Sequence, residues 1–268
     1  PQTISNMTQV LSNQVEAFHK RPIDSRYVCL YLDATYLALR RDSVSKEALH
    51  MIVGINAEGI KEVLDYRLYP TESSENYKEM LLDLKERGLE EVLLFVSDGL
   101  TGLRDACLEV YPQAKHQCCW VHIARRIGHL VRAKDKGMIM ADLKLIYQSD
   151  NRQSAIEAAE AFIVKYQSLY PKVIRILQEN QSLYSFYDFP ISIQRSLYTT
   201  NLIESLNKQL KRYTKKKEQF PNEASLERFV CSLFIEWNHR YLDRIHKGFA
   251  LSVNELNTLF ENQIHDEI

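Results

Sequence analysis

Apolar and polar positions follow two different rhythms along this chain. The first half is built from short, nearly unbroken apolar runs. Residues 27–32, YVCLYL, make one such run, the pattern of a strand buried on both faces, and it ends at Asp33. TYLALRRD, EALHMIVGIN and IKEVLDYRLYP follow at short spacing and read as antiparallel strands, with NAEG at 56–59 as a hairpin turn. EVLLFVSDG is a second fully apolar run, ending at Asp98, and AKHQCCWV reads as a short strand or turn. Helical spacing predicts helices over 74–88, stopped by Gly88, and over 100–112, halted by Pro112. A helix over 5–19 places Met7, Val10, Leu11, Val15 and Phe18 at helical spacing and stops before Pro22. Its apolar face is expected to pack on its own domain or on a partner copy.

From about Val121 to Tyr187 the pattern is almost wholly helical, and further helices cover roughly 199–214 and 222–246. The order is three strands, helix, strand, helix, strand, helical block, helix. That is an α/β core interrupted by an all-α insertion. The expected divisions are an N-terminal helix and linker at 1–22, the first part of the core at 23–120, the insertion at 121–188, and the rest of the core with C-terminal helices at 189–268.

Composition narrows the function classes. With 45% hydrophobic and 26% charged residues the chain is an ordinary globular one. Its net charge of −1 gives no global nucleic-acid signature, so any basic partner surface must be local. Five cysteines, an odd number with Cys118 and Cys119 adjacent, argue against a secreted disulfide scaffold and for a reducing cytosol. No apolar run approaches the roughly 20 residues of a membrane span, and no signal peptide is visible. The chain opens PQTIS without an initiator Met, as expected for a piece of something longer.

The local basic surface lies in RSLYTTNLIESLNKQLKRYTKKK, residues 195–217. After Ser205 it holds Lys208, Lys211, Arg212, Lys215, Lys216 and Lys217 and no acid, yet Glu204 stands in its midst. On a helix, Leu202, Leu206 and Leu210 share one face, and Glu204, Lys208, Lys211 and Lys215 share another. A solvated Glu204–Lys208 pair accounts for one acid and one base, but not for the one-sided run of cations. Asp33 and Asp98 each end a buried strand, where parallel strands open into a ligand crevice. Taken singly, Asp33 is also read as a turn residue and Asp98 as a helix cap or Asx turn. Three carboxylates at one sheet end would suit Mg²⁺ or Mn²⁺, and two such ions about 4 Å apart serve phosphodiester chemistry. The lysines would hold a DNA backbone while Glu204 holds metal.

YLDA, FVSDG followed by GL, HQCCWVH and TTNLIESLNKQLKR together resemble the Mutator-like transposases of bacterial insertion sequences. The resemblance runs from 21–23 to 234–242, nearly the whole chain. It implies a ribonuclease H-like mixed five-stranded sheet with flanking helices and an all-helical insertion between the second Asp and the Glu. Here Asp98 and Glu204 are 106 positions apart, and the helical block fills that gap. It assigns Asp33, Asp98 and Glu204 as catalytic metal ligands for two Mg²⁺ or Mn²⁺ ions. The implied activity is metal-dependent hydrolysis and strand transfer on element ends and target DNA, by a homodimer in the synaptic complex, in the bacterial cytoplasm at the nucleoid. The family's N-terminal DNA-binding region would be represented only by residues 5–19.

The family's Cys-x2-His pattern falls on Cys119 and His122. Chemistry alone offers three readings: a zinc half-site with His116 or Cys118, a packed element, or a DNA-positioning element. Trp120 between them is either a core residue or a base-stacking one. Candidate DNA contacts are Arg125, Arg126, Arg195, Asn201, Lys208, Lys211, Arg212 and Lys215, with Arg132, Lys216 and Lys217 in addition. Asn201 would orient Glu204 or a phosphate. Tyr198 raises a tyrosine-nucleophile recombinase, which lacks its Arg and His pattern here. The alternatives in other classes are a catalytically silent, co-opted transposase acting as a DNA-binding regulator and a stand-alone nuclease.

Overall fold

The computed structural model of the chain describes residues 2–40, 44–215 and 219–265. Strands β1 (Arg26–Arg40), β2 (Val44–Ile55) and β3 (Lys61–Tyr69) form an antiparallel meander. Strands β4 (Glu91–Ser97) and β5 (Lys115–Cys118) add in parallel on the far side of β1, giving one sheet of order β3-β2-β1-β4-β5. NAEG turns β2 into β3. The Asn56 side chain accepts the Ile60 N–H at 2.9 Å, and Gly59 takes φ 84°, where a Cβ would meet the His246 carbonyl at 2.6 Å.

One strand expectation needs correction. TYLALR is not a strand of its own but continues β1, which pairs with β2 from Cys29–Ile55 to Arg40–Val44. Positions 41–43 lie outside the described residues. Asp33 is therefore in mid-strand. The apolar run stops there because the parallel partner stops: β1–β4 pairing ends at Tyr31–Val96. Beyond that point β1 keeps β2 on one side but has no strand on the other, where only Phe220 bridges it at Leu39, so burial no longer demands apolar side chains on both faces.

The helices follow the predicted order. They are α1 (Gln2–Lys20), α2 (Ser74–Glu86), α3 (Leu103–Val110), then α4 (Trp120–Leu130), α5 (Ala133–Tyr147), α6 (Arg152–Tyr166) and α7 (Pro171–Glu179) in the insertion, which closes with a 3₁₀ turn at Ser185–Asp188. After it come α8 (Ile191–Leu197), α9 (Asn201–Thr214), α10 (Glu223–Leu242), α11 (Lys247–Leu251) and α12 (Val253–His265). Helix α8 escapes prediction because seven residues carry too few turns to show a period. The fold class is the expected one, a mixed five-stranded sheet with flanking helices, interrupted by an all-α segment.

The sheet is covered on both faces, which is why β1 reads as continuously apolar. Tyr27, Leu30 and Leu32 pack with Tyr77, Leu81, Leu84 and Leu103 of α2 and α3. Val28, Cys29 and Tyr31 belong to the opposite core, which is continuous with Trp120 and Phe186 of the insertion, with Ile203, Leu206 and Leu210 of α9, and with Phe234 of α10. Helix α1 is tied to its own chain at its end. Phe18 is buried, and Arg21 lies over the Phe18 ring and donates to Glu62. Met7 and Val10 stay exposed. All five cysteines are buried and unpaired. Among the described residues, no helix is long and apolar enough to cross a membrane.

Candidate active site

The register of β1 and β4 brings the two aspartates together. The last parallel pair is Tyr31–Val96, and Asp33 and Asp98 each lie two residues beyond it. With a side-chain period of two, both follow the face of Tyr31 and Val96, residues of the core shared with α9. Adjacent strands are about 4.8 Å apart, so the carboxylates are neighbours by construction.

Each aspartate is partly tied. Asp33 Oδ1 accepts the Ala34 N–H at 2.9 Å, and Oδ2 accepts Asn207 Nδ2–H at 2.7 Å. Asp98 Oδ1 accepts the Leu100 N–H at 3.1 Å, so it also forms the Asx turn weighed for it. Among the described residues neither is in an ion pair. Burial, then repulsion from Asp98, pushes the Asp33 carboxyl up to about 6, against the pull of His122 and the Ala34 amide.

Glu204 comes from the first turn of α9, but its partner is not Lys208. Arg125 of α4 donates to both its oxygens, at 2.7 and 3.1 Å. Burial disfavours the Glu204 charge, yet the Arg125 hydrogen bonds and charge, with His122 and Lys208, outweigh it and hold the carboxyl below its usual range. The buried stripe of α9 also differs slightly from expectation. It is Ile203, Leu206, Asn207 and Leu210, while Leu202 is half-buried.

The Cys119–His122 pair is joined to α9 through Thr200. The Thr200 N–H donates to Cys119 Sγ at 3.3 Å, and Thr200 Oγ1 is 3.3 Å from that sulfur and 3.4 Å from His122 Nδ1. His122 Nε2 then stands 3.7 Å from Glu204 Oε1. This chain of contacts pins the start of α9, and so Glu204, to the end of β5. His116, weighed as a zinc partner, is instead paired through Nε2 with Ser97 Oγ at 3.0 Å. Trp120 is fully buried. Its Nε1–H donates to the Leu183 carbonyl at 2.8 Å and its ring packs near Tyr147, so it anchors the insertion and presents no face to a base. Tyr198 is half-buried between the rings of Tyr147 and Phe186.

The candidate phosphate contacts are distributed around this centre. Arg125, Arg126, Arg195, Asn201, Lys208, Lys211, Arg212 and Lys215 are all exposed. Arg126 lines a cleft of about 380 Å³ with Gly99 of the Asp98 loop, and Lys211 and Lys215 line another of about 400 Å³ with Tyr36 and Phe220. Arg132 pairs within the insertion, with Asp135 at 3.0 Å. Lys216 and Lys217 lie outside the described residues.

One residue at this site was missed by sequence reasoning. Asn207 carried a signal, a polar residue on the buried stripe one turn after Glu204. Its Oδ1 is buried without a hydrogen-bond partner beside Asp33. A divalent cation suits this donor set in part: Asp33 and Asp98 offer hard oxygens with no side-chain cation paired to them, whereas Glu204 faces Arg125. Among the described residues, no three Asp, Glu, His or Cys side chains converge as a ready-made cage.

Residues 1–243 match the family model described as "Transposase, Mutator family". The transposase for insertion sequence element IS905 of Lactococcus lactis subsp. lactis (strain IL1403) is 42% identical over 261 residues, covering 97% of this chain and 67% of that protein. The transposase for insertion sequence element IS1201 of Lactobacillus helveticus is 42% identical over 231 residues, covering 86% and 63%. The chain thus spans roughly two thirds of the length of these relatives. Among solved structures, the catalytic domain of Mos1 mariner transposase matches 65% of this chain and 86% of its own, at 15% identity and a TM-score of 0.24.

Proposed function

The chain belongs to the Mutator family of transposases, and from that premise we propose that it carries the DNA cutting and joining centre of an insertion-sequence transposase. The observation that carries the reading is the level placement of Asp33 and Asp98 beyond one parallel strand pair, with Glu204 presented by α9 beside them. The sheet supports a ribonuclease H-like assignment, and the three acids a DDE centre.

Asp33, Asp98 and Glu204 would hold Mg²⁺ or Mn²⁺, two ions in the working site. Such ions, when bound, supply Lewis-acid activation of the attacking oxygen and charge stabilisation at the leaving one. Asn207 fixes the Asp33 carboxylate through Oδ2 and the Ala34 N–H through Oδ1, which leaves one lone pair on each oxygen for a cation. Thr200 and His122 position Glu204. Arg125 is within reach of the same centre, and on DNA it would exchange its carboxylate partner for a phosphate, releasing Glu204 to the metal. Lys208, Lys211, Arg212, Lys215, Arg126, Arg195 and Asn201 would track the backbone without reading sequence. Element ends and target DNA are the proposed partners, a homodimer the proposed synaptic form, and the cytoplasm at the nucleoid the proposed location.

The test is Mn²⁺ titration by calorimetry on wild type, Asp98→Ala and Glu204→Ala, followed by nicking of labelled duplex DNA. Mn²⁺ binding lost in Asp98→Ala, and nicking lost in both variants, are expected. Binding that neither change affects would remove the metal centre. DNA binding without nicking in wild type would favour the silent regulator.

A further inference from the structure

The sheet has an open flank just beyond Asp33. β1 pairs with β2 as far as Arg40–Val44, but its pairing with β4 ends at Tyr31–Val96. Farther along, the Arg40 N–H donates to the Phe220 carbonyl at 2.9 Å, and the Phe220 N–H donates to the Ala38 carbonyl at 3.1 Å. Backbone groups alternate in direction along a strand, so on this side of β1 they belong to the even-numbered residues. The Ala34 N–H is taken by Asp33 Oδ1. The N–H groups of Tyr36 and Ala38 face the gap between the end of β4 and Phe220, and among the described residues they have no partner there.

Helix α9 runs alongside this flank. Asn207 touches Asp33, and about one and two turns further on Lys211 and Lys215 line the cleft of about 400 Å³ with Tyr36, Ala38 and Phe220. The walls of this cleft carry two cations and no acid, whereas the cleft of Arg126 also contains Asp105 and Glu179. Both lysines are exposed, and among the described residues neither forms an ion pair. Tyr36 is 49% exposed, between the buried Thr35 and Leu37. The groove thus offers ammonium groups and main-chain N–H donors to a phosphate, and an aromatic ring to a base.

We propose that this groove takes an unpaired stretch of DNA strand, with a phosphate on Lys211, Lys215 and the two main-chain amides and a base stacked on the Tyr36 ring. The proposal rests on reading Asp33, Asp98 and Glu204 as a DNA-cutting centre. Tyr36 lies three residues beyond Asp33, about 10 Å of strand, and Lys211 and Lys215 lie seven and eleven beyond Glu204, about 10 and 16 Å of helix. At about 3.4 Å per nucleotide, the groove meets the strand about three to five nucleotides from the phosphate under attack. An open strand edge also admits an added peptide strand, but the paired lysines and the absence of acids select a polyanion.

Fluorescence anisotropy in EDTA, where nothing is cut, tests it with a labelled single strand and the matching blunt duplex. Tyr36→Ala is expected to weaken the single strand about fivefold or more, with the salt dependence unchanged and the duplex affected less than about twofold. Tyr36→Phe should match wild type. Replacing Lys211 and Lys215 together by Gln should lower the slope of log affinity against log salt by about 1.4 on the single strand. Tyr213, exposed on α9 but lining a separate depression with Trp237, is the control, and Tyr213→Ala should match wild type. If Tyr36→Ala binds the single strand like wild type while Lys208→Gln weakens it, the groove proposal fails and the DNA-cutting reading stands. If wild type binds neither form, both fail. A Tyr36→Ala loss equal on both forms would overturn base stacking. Lost self-association with unchanged DNA affinity, seen by sedimentation, would assign the edge to a second copy and overturn the proposal too.

Discussion

Replacing Asp33 by Asn should make the protein more stable while abolishing its proposed chemistry. In the folded chain the Asp33 carboxyl sits at about 6 rather than the usual 3.8, first through burial and then through Asp98. The unfolded chain loses the proton near 3.8, while the native state keeps it to about 6. Ionisation therefore costs the native state nothing below the lower value. The cost grows through the window and is constant above it. At about 1.4 kcal/mol per pH unit, the difference comes to about 3 kcal/mol at pH 7.5. The uncharged side chain of the Asp33→Asn variant escapes this cost. Its new amide would need an acceptor in place of Asn207 Nδ2, and rotation of Asn207 offers the unpartnered Oδ1. The assay is urea denaturation in EDTA at pH 7.5 and pH 4. The expected gain is about 2–3 kcal/mol at pH 7.5, falling below about 1 kcal/mol at pH 4. Added Mn²⁺ should stabilise wild type and leave Asp33→Asn unmoved. A variant no more stable than wild type at pH 7.5, or one whose gain is undiminished at pH 4, would refute the reasoning.

The remaining expectations concern the surroundings of this carboxylate. Arg125→Ala should change stability by less than about 1 kcal/mol, because the Arg125 side chain is 54% exposed. It should also lower the salt dependence of DNA binding by about one phosphate contact, read from affinity against salt concentration. Asn207→Asp sets a carboxylate where a donor now stands 2.7 Å from Asp33 Oδ2. It should destabilise the metal-free protein at neutral pH by about 1–3 kcal/mol, with recovery on acidification seen in pH-dependent melts. Trp120→Ala should cost about 3–5 kcal/mol in urea denaturation, since it empties a fully buried site and leaves the Leu183 carbonyl with Gln117 as its one remaining donor. Gly54→Ala should be costly although Gly54 lies in a strand: its Cβ would fall 2.4 Å from the Tyr27 ring, and loss of soluble protein or a lowered melting temperature would report it.

The sequence by itself determined the class of fold, and it put forward the three acids proposed as metal ligands. Apolar runs at 27–32 and 91–97 require burial on both faces, and only a central parallel pair provides it, which leaves an acid just past each run. The switch to helical period at Val121 marked the insertion, and the polar–apolar stripe of 201–214 placed Glu204 off the buried face. Local periodicity reports burial, so it could see all of this. It could not see register or partners. That Asp33 sits in mid-strand follows from where β4 ends, a fact about another segment. That Arg125, not Lys208, holds Glu204 depends on how the insertion folds back on α9, across 79 positions. Trp120 read as a core residue with base stacking as the alternative, and the insertion that closes over it decides for the core.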